Sequence, residues 1–136
     1  MTFPELERSF VSVRAVLEGN AVAVTFTGTA DLRVQAALGD FLTALHAGTT
    51  RAGAGAVGVD VRGLEFMSSA CFRQLIAWVS KVDEAGRPYR ITFLANTERQ
   101  WQRRSMHALS SFAGDFVTVM TAPDAVSAPG GETHWG

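Results

Sequence analysis

The patterning of this chain predicts an α/β domain, a mixed β-sheet opened by a hairpin and covered by helices, and three observations carry that prediction. Val57, Val59 and Val61 are β-branched at period two, and Phe72, Leu75, Ile76, Val79 and Val82 then recur at the 3, 4 and 7 spacing of one helical face. Two alternating apolar runs flank Glu18-Gly19-Asn20, where Gly and Asn tolerate the positive φ of a tight turn. From there onward, short apolar runs alternate with helix-period segments, the arrangement of strands interleaved with covering helices.

The elements follow in order. Val11, Val13, Ala15 and Leu17 make one face of a first strand, and Val22, Val24 and Phe26 make one face of the second. Asp31 is placed to cap a first helix whose stripe is Leu38, Phe41, Leu42 and Leu45; it runs to about Ala47, with Gly48 as its stop. The valine strand then turns through Gly63 into Ser68-Ser69, where the period changes and a second helix begins. Ala85-Gly86-Arg87-Pro88 closes that helix, and Tyr89 to Ala95 forms the next strand. Thr97-Glu98-Arg99-Gln100 has capping-box spacing and opens a third helix with Trp101, Ser105, Ala108, Leu109 and Phe112 along one side. Phe116 to Met120 is a last short strand, giving the order β-β-α-β-α-β-α-β in a single domain over residues 1–120. From 121 to 136 Pro, Gly, Ser and Ala dominate, the composition of a flexible tail.

Composition narrows the function. At 136 residues and 47% hydrophobic the chain buries one core, and a formal charge of −1 supplies no global field to recruit nucleic acid or an anionic membrane. The lone Cys71 has no internal disulfide partner, no apolar run reaches membrane-span length, and Met1 to Phe10 lacks signal-peptide sections. The expectation is a soluble, cytoplasmic protein whose partners are selected locally.

Ser68 and Ser69 sit where a helix N-terminus exposes amide groups and the positive end of its dipole, so the turn suits both an N-cap and an added phosphate. Three segments now carry a family resemblance: Gly28-Thr29-Ala30-Asp31, Gly63-Leu64-Glu65-Phe66-Met67-Ser68-Ser69-Ala70 and Ala85-Gly86-Arg87. Together they resemble a STAS domain over roughly residues 10–120, the fold of bacterial anti-sigma-factor antagonists and of sulfate-transporter cytoplasmic domains. The resemblance implies phosphorylation of Ser68 by a partner kinase, with Ser69 second in the motif and Asp31 the acidic residue lining the same site. This chain departs from the family's Asp-Ser-Ser/Thr-Gly pattern at Met67, which replaces Asp, and at Ala70, Cys71 and Phe72, which replace Gly-Leu-Gly.

Other motifs are weaker. Gly53-Ala54-Gly55-Ala56-Val57-Gly58 fits G-x-G-x-x-G but precedes a strand, so it reads as a flexible loop, and no Gly-Lys-Ser/Thr makes a P-loop. Cys71 with His46 or His107 would be the only nucleophilic pair to consider, against the plainer reading of a small buried apolar cysteine. His46, His107 and His134 have no metal-ligand spacing, and no cofactor is implied. Arg99, Arg103 and Arg104 at helical spacing are either a solvated face or a weak anion site at Arg99 and Arg103. Trp78 at the edge of the second helix's apolar arc is either packing or part of a protein-binding surface.

The reading that joins these is a non-enzymatic interaction module. It docks a partner through Asp31, Met67, Ser69, Phe72 and Trp78 around the serine turn, with Ser68 as the phosphorylation site. By resemblance that partner is an anti-sigma factor or a related serine kinase; the sequence leaves a homodimer open. The alternatives are a constitutive STAS-type adaptor without the phosphoswitch, and a small-anion or nucleotide sensor. No paired carboxylates, metal cluster or nucleophile-base arrangement argues for an enzyme.

Overall fold

A computed structural model describes residues 3–122. The described elements are β1 (Glu5–Arg8), β2 (Val11–Glu18), β3 (Ala21–Ala30), a 3-10 turn (Leu32–Val34), α1 (Gln35–Ala52), β4 (Ala56–Met67), α2 (Ser69–Glu84), β5 (Arg90–Ala95), α3 (Gln100–Ala113) and β6 (Val117–Thr121). They build one sheet whose strand order repeats chain order, β1-β2-β3-β4-β5-β6. The first three strands pair antiparallel and β3 through β6 pair parallel, so the expected mixed α/β architecture stands. The predicted tail lies outside the described residues, apart from Thr121, which ends β6, and Ala122. Among the described residues no helix is long and apolar enough to cross a membrane.

Three parallel connections advance in one direction across the sheet, and right-handed crossovers then put α1, α2 and α3 on the same face. Val22, Val24, Phe26, Val57, Val59, Val61, Ile91 and Phe93 are buried on that face beneath Leu38, Leu45, Leu75, Val79, Met106 and Leu109 of the helices. The opposite face of β4 carries Asp60 and Arg62, an ion pair at 2.9 Å with little side-chain exposure (17% and 11%). Arg62 also donates its backbone N–H to Asp60 Oδ1, a local loop that widens the strand.

The structure adds β1, which sequence periodicity missed because Glu5-Leu6-Glu7-Arg8 holds one apolar residue; Leu6, buried opposite Val13, anchors it. Helix α1 continues past the expected stop at Gly48 to Ala52, where Gly53 caps it at φ 68, a left-handed conformation that glycine adopts without strain. Gly48 is buried inside the helix because Phe3 packs on it, with Phe3 Cε1 3.1 Å from where a Cβ would stand. The stretch read as a flexible glycine loop is accordingly short: Gly53 ends α1, and Gly55 is tied through its N–H to the Asn20 carbonyl at 3.0 Å.

A further correction concerns Gly63. It does not turn the chain but lies within β4, where Thr25 pairs with Asp60 and Thr27 with Gly63, leaving an extra residue on β4. A second register shift follows between Gly28 and Thr29, which pair with Leu64 and Phe66. These irregularities carry β4 well beyond β5, whose pairing ends at Asp60 opposite Leu94. The carbonyls left without a strand partner are met by α3: Gln102 Nε2 donates to Val61 (2.7 Å) and Leu64 (3.1 Å), Trp101 Nε1 to Leu64 (2.9 Å), and Arg99 Nε to Arg62 (3.1 Å).

That docking explains why the expected capping box fails. The N-cap of α3 is Arg99, with no side-chain cap, while Asn96 Oδ1 accepts from Glu98 N–H at 3.0 Å and Gln102 Oε1 accepts from Asn96 N–H at 2.7 Å. The buried face is therefore Gln102, Met106, Leu109 and Ala113, and Phe112, expected along the apolar side, is 54% exposed.

Candidate functional site

The serine turn forms where the paired ends of β3 and β4 meet α2. Ala30 pairs with Met67, and the Ser68 N–H donates to the Ala30 carbonyl at 2.8 Å, extending the ladder by one bond before the chain leaves the sheet. Ser68 keeps an extended backbone (φ −69, ψ 159), and its Oγ accepts from Cys71 N–H at 3.2 Å while its carbonyl accepts from Phe72 N–H at 2.9 Å. It is thus the N-cap of α2, as the change of period predicts. Ser68 is half-buried and Ser69, the first helical residue, is exposed.

Asp31 follows β3 directly and borders the same turn through its backbone, whose carbonyl accepts from the Cys71 thiol at 3.3 Å. Its carboxylate caps the short 3-10 turn, not α1 itself, by accepting from Arg33 N–H at 3.0 Å. The Arg33 guanidinium returns in a fork, Nε to Oδ1 at 3.0 Å and Nη2 to Oδ2 at 2.7 Å, and those bonds hold the Asp31 carboxyl below the usual carboxylate range. The same guanidinium lies 3.6 Å from the centre of the Phe10 ring. Phe10 is held in turn by its carbonyl, which accepts from Thr29 N–H at 2.8 Å. Gly28, at φ +93, presents its backbone to that carbonyl so closely that a Cβ would overlap it.

Burial separates the remaining expected partner-binding residues. Met67, standing where the resemblance expects Asp, turns into the core at 6% exposure, so its own side chain offers no docking contact. Trp78 is also corrected from surface to core: it is 3% exposed, edge-on to Phe93, and donates from Nε1 to the Tyr89 hydroxyl at 3.0 Å. Its position on the apolar arc decided this, since that arc faces β5. Phe72 is half-buried against the core.

The nucleophilic pairings are not assembled. Cys71 is fully buried, burial pushes its thiol up, and its hydrogen is committed to Asp31. His46 bonds Tyr89, and His107 is exposed on α3. The two arginines of the weak anion site each reach a backbone carbonyl of their own chain, Arg99 at Arg62 and Arg103 at Thr97 (2.9 Å).

Sequence reasoning missed two residues at this turn. Leu32 is 69% exposed and Phe66 47% exposed, both beside the β3–β4 ends that carry Asp31 and Ser68. Phe66 had a readable signal, since counting by twos from Val57 puts it on the outer face and the two one-residue bulges between Asp60 and Phe66 cancel.

Comparison with known proteins agrees with this geometry. The family described as Mlab, STAS domain, matches residues 13–111. An anti-sigma factor antagonist from Mycobacterium paratuberculosis superposes with a TM-score of 0.61 at 20% identity, covering 79% of this chain and 85% of that one. No curated protein matches. A family match spanning most of the sheet, α1, α2, most of α3 and the Ser68-capped turn makes this chain a member of the STAS domain family.

Proposed function

We propose that this chain is a non-enzymatic, cytoplasmic protein-interaction module that docks its partner on the serine turn, as an anti-sigma-factor antagonist would. The observation that carries the reading is the pair of large apolar side chains, Leu32 and Phe66, left exposed beside Ser68, Ser69 and the Asp31–Arg33 pair. Apolar anchors ringed by polar groups are what a protein interface uses, whereas isolated exposed leucines elsewhere on a surface require no explanation. By resemblance the partner is an anti-sigma factor or a related serine kinase.

A second reading adds regulation. Ser68 is only half-buried and its Oγ serves a single, long capping bond, so a phosphate there would lie at the N-terminus of α2 and add about −1.5 to −2 charges to the docking surface. Asp31 would oppose that charge less than a bare carboxylate, because Arg33 already compensates it.

The test begins with capture of partners by the full chain from its native host, identified together with phosphosites by mass spectrometry. Binding of the identified partner is then titrated against Leu32→Asp, Phe66→Asp, Ser68→Ala and Ser68→Asp. The docking reading expects both apolar substitutions to weaken binding at least tenfold, and undiminished affinity in both overturns it. The regulated reading expects Ser68→Ala to bind like wild type and Ser68→Asp more weakly; equal affinity of all three leaves a constitutive adaptor.

A further inference from the structure

A groove runs between α1 and α2 on the helical layer, with about 140 Å³ of room, lined by Gly39, Leu42 and Thr43 from α1 and by Gln74, Ala77, Trp78 and Lys81 from α2. Leu42 and Trp78 are core residues, 3% exposed each, whose remaining surface borders it. Gly39 and Ala77 keep its walls low; a Cβ at Gly39 would stand 2.6 Å from Gln74 Oε1.

Two polar groups at this groove have no protein partner among the described residues. Gln74 makes no side-chain hydrogen bond, and Lys81, the only lysine in the chain, forms no ion pair. Lys81 is the one charged residue among those lining the groove, beside the apolar Leu42 and Trp78. A few placed polar groups over an apolar floor is the usual composition of a small-molecule site.

We propose that this groove binds a small aromatic monocarboxylate, its ring on Leu42 and Trp78 and its carboxylate on Lys81, with the Gln74 amide as a second donor. Size supports a single ring: the space is close to the ~150 Å³ that accommodates benzene in an apolar protein cavity. Charge selects the acid over the amine, because a cation would meet Lys81 with nothing to balance it. The proposal is independent of partner docking at the serine turn, since no residue of that turn lines the groove.

The test is a two-dimensional NMR titration of the full chain with benzoate, using benzamide and benzylamine as neutral and cationic controls. Saturable shifts are expected at the amides of Gly39, Gln74 and Ala77 and at the Trp78 indole N–H, with benzoate tighter than benzamide by about tenfold, the size one charge-assisted hydrogen bond supplies. Lys81→Met, on an exposed position that leaves the fold intact, is expected to bring benzoate down to the level of benzamide. Ala77→Phe, also exposed, is expected to occupy the groove and abolish the shifts of both. Absence of saturable shifts through the millimolar range overturns the proposal. So does benzylamine binding as tightly as benzoate, or benzoate affinity unchanged by Lys81→Met.

Discussion

The Tyr89 hydroxyl stands 2.6 Å from Nδ1 of His46, and this contact fixes the protonation state of the histidine. Trp78 Nε1 can only donate, so the Tyr89 oxygen accepts from it at 3.0 Å, and among the described contacts Nδ1 of His46 is the acceptor left for the phenol hydrogen. His46 is then the neutral tautomer carrying its proton on Nε2. Burial holds its pKa below the ordinary 6.5, and the charge of Lys81 adds to that effect. One chain of hydrogen bonds thereby joins α1, α2 and the entry to β5.

Stability is expected to fall on acidification through this histidine. Its folded pKa lies below the unfolded value of 6.5, so its contribution is complete above 6.5 and is lost as pH falls through 6.5 toward the folded pKa. Urea titrations between pH 8 and 5 on wild type and His46→Gln check this. The wild type should lose stability toward pH 5 more steeply than the variant, and parallel curves would refute the assignment.

Tyr89→Phe should cost about 1–3 kcal/mol for each group it strands, namely Trp78 Nε1 and His46 Nδ1. Because burial holds the Tyr89 phenol above its ordinary pKa, the native protein should show no tyrosinate absorbance at pH values where free tyrosine ionises. Spectrophotometric titration of the folded protein measures that directly.

Gln102→Leu should destabilise the molecule more than its near-equal volume suggests. Gln102 is fully buried and serves the Val61 and Leu64 carbonyls and the Asn96 N–H; Leu64 keeps its bond from Trp101 Nε1, so the substitution takes the Gln102 bond from two groups, the Val61 carbonyl and the Asn96 N–H, at about 1–3 kcal/mol each before relaxation. Denaturant unfolding gives the total. Hydrogen exchange should find the Asn96 amide deprotected even where the sheet remains intact.

Gly28→Ala should be among the most damaging single-methyl additions. A left-handed φ of +93 costs a non-glycine residue about 1–2 kcal/mol, and the new Cβ also overlaps the Phe10 carbonyl, which is backbone and cannot rotate away. Thermal unfolding should place this variant well below Gly19→Ala, where nothing stands within 4 Å of the added carbon.

Ser68→Ala should lose about 0.5–2 kcal/mol through the cap to Cys71 N–H, and Ser68→Gly only a few tenths. Ser69→Ala, on an exposed first-turn position that is not the N-cap, should be near neutral. Urea midpoints of the three variants separate the structural role of this turn from any role in binding.

The parts of the fold legible in the sequence were those written in uninterrupted periodicity. Val57, Val59 and Val61 and the Leu75–Val79–Val82 stripe reported a buried strand and an amphipathic helix, and the change between them located Ser68 as the cap. What escaped lies where tertiary contact overrides local signals. Gly48 looks like a stop until Phe3 is placed on it, and Thr97 looks like a cap until Gln102 claims the Asn96 amide. The chemistry at the turn was half legible for the same reason. Ser68 and Asp31 were readable from local pattern, and counting by twos from Val57 also turns Phe66 outward and Met67 inward because the two bulges cancel, whereas burial of Trp78 depends on which arc of α2 meets β5.

A sheet in which every strand lies beside its sequence neighbour also has a kinetic consequence. Each pairing requires closing only one connection, a two-residue turn for β2–β3 and a single helical crossover for each parallel pair, so no strand waits for a distant segment to be placed first. Folding can start at the β2–β3 hairpin and grow outward strand by strand, a route with less loop-closure entropy than a topology that inserts a late strand between early ones. Damage at either terminus then peels an edge strand and leaves β4, with the serine turn at its end, between partners already in place.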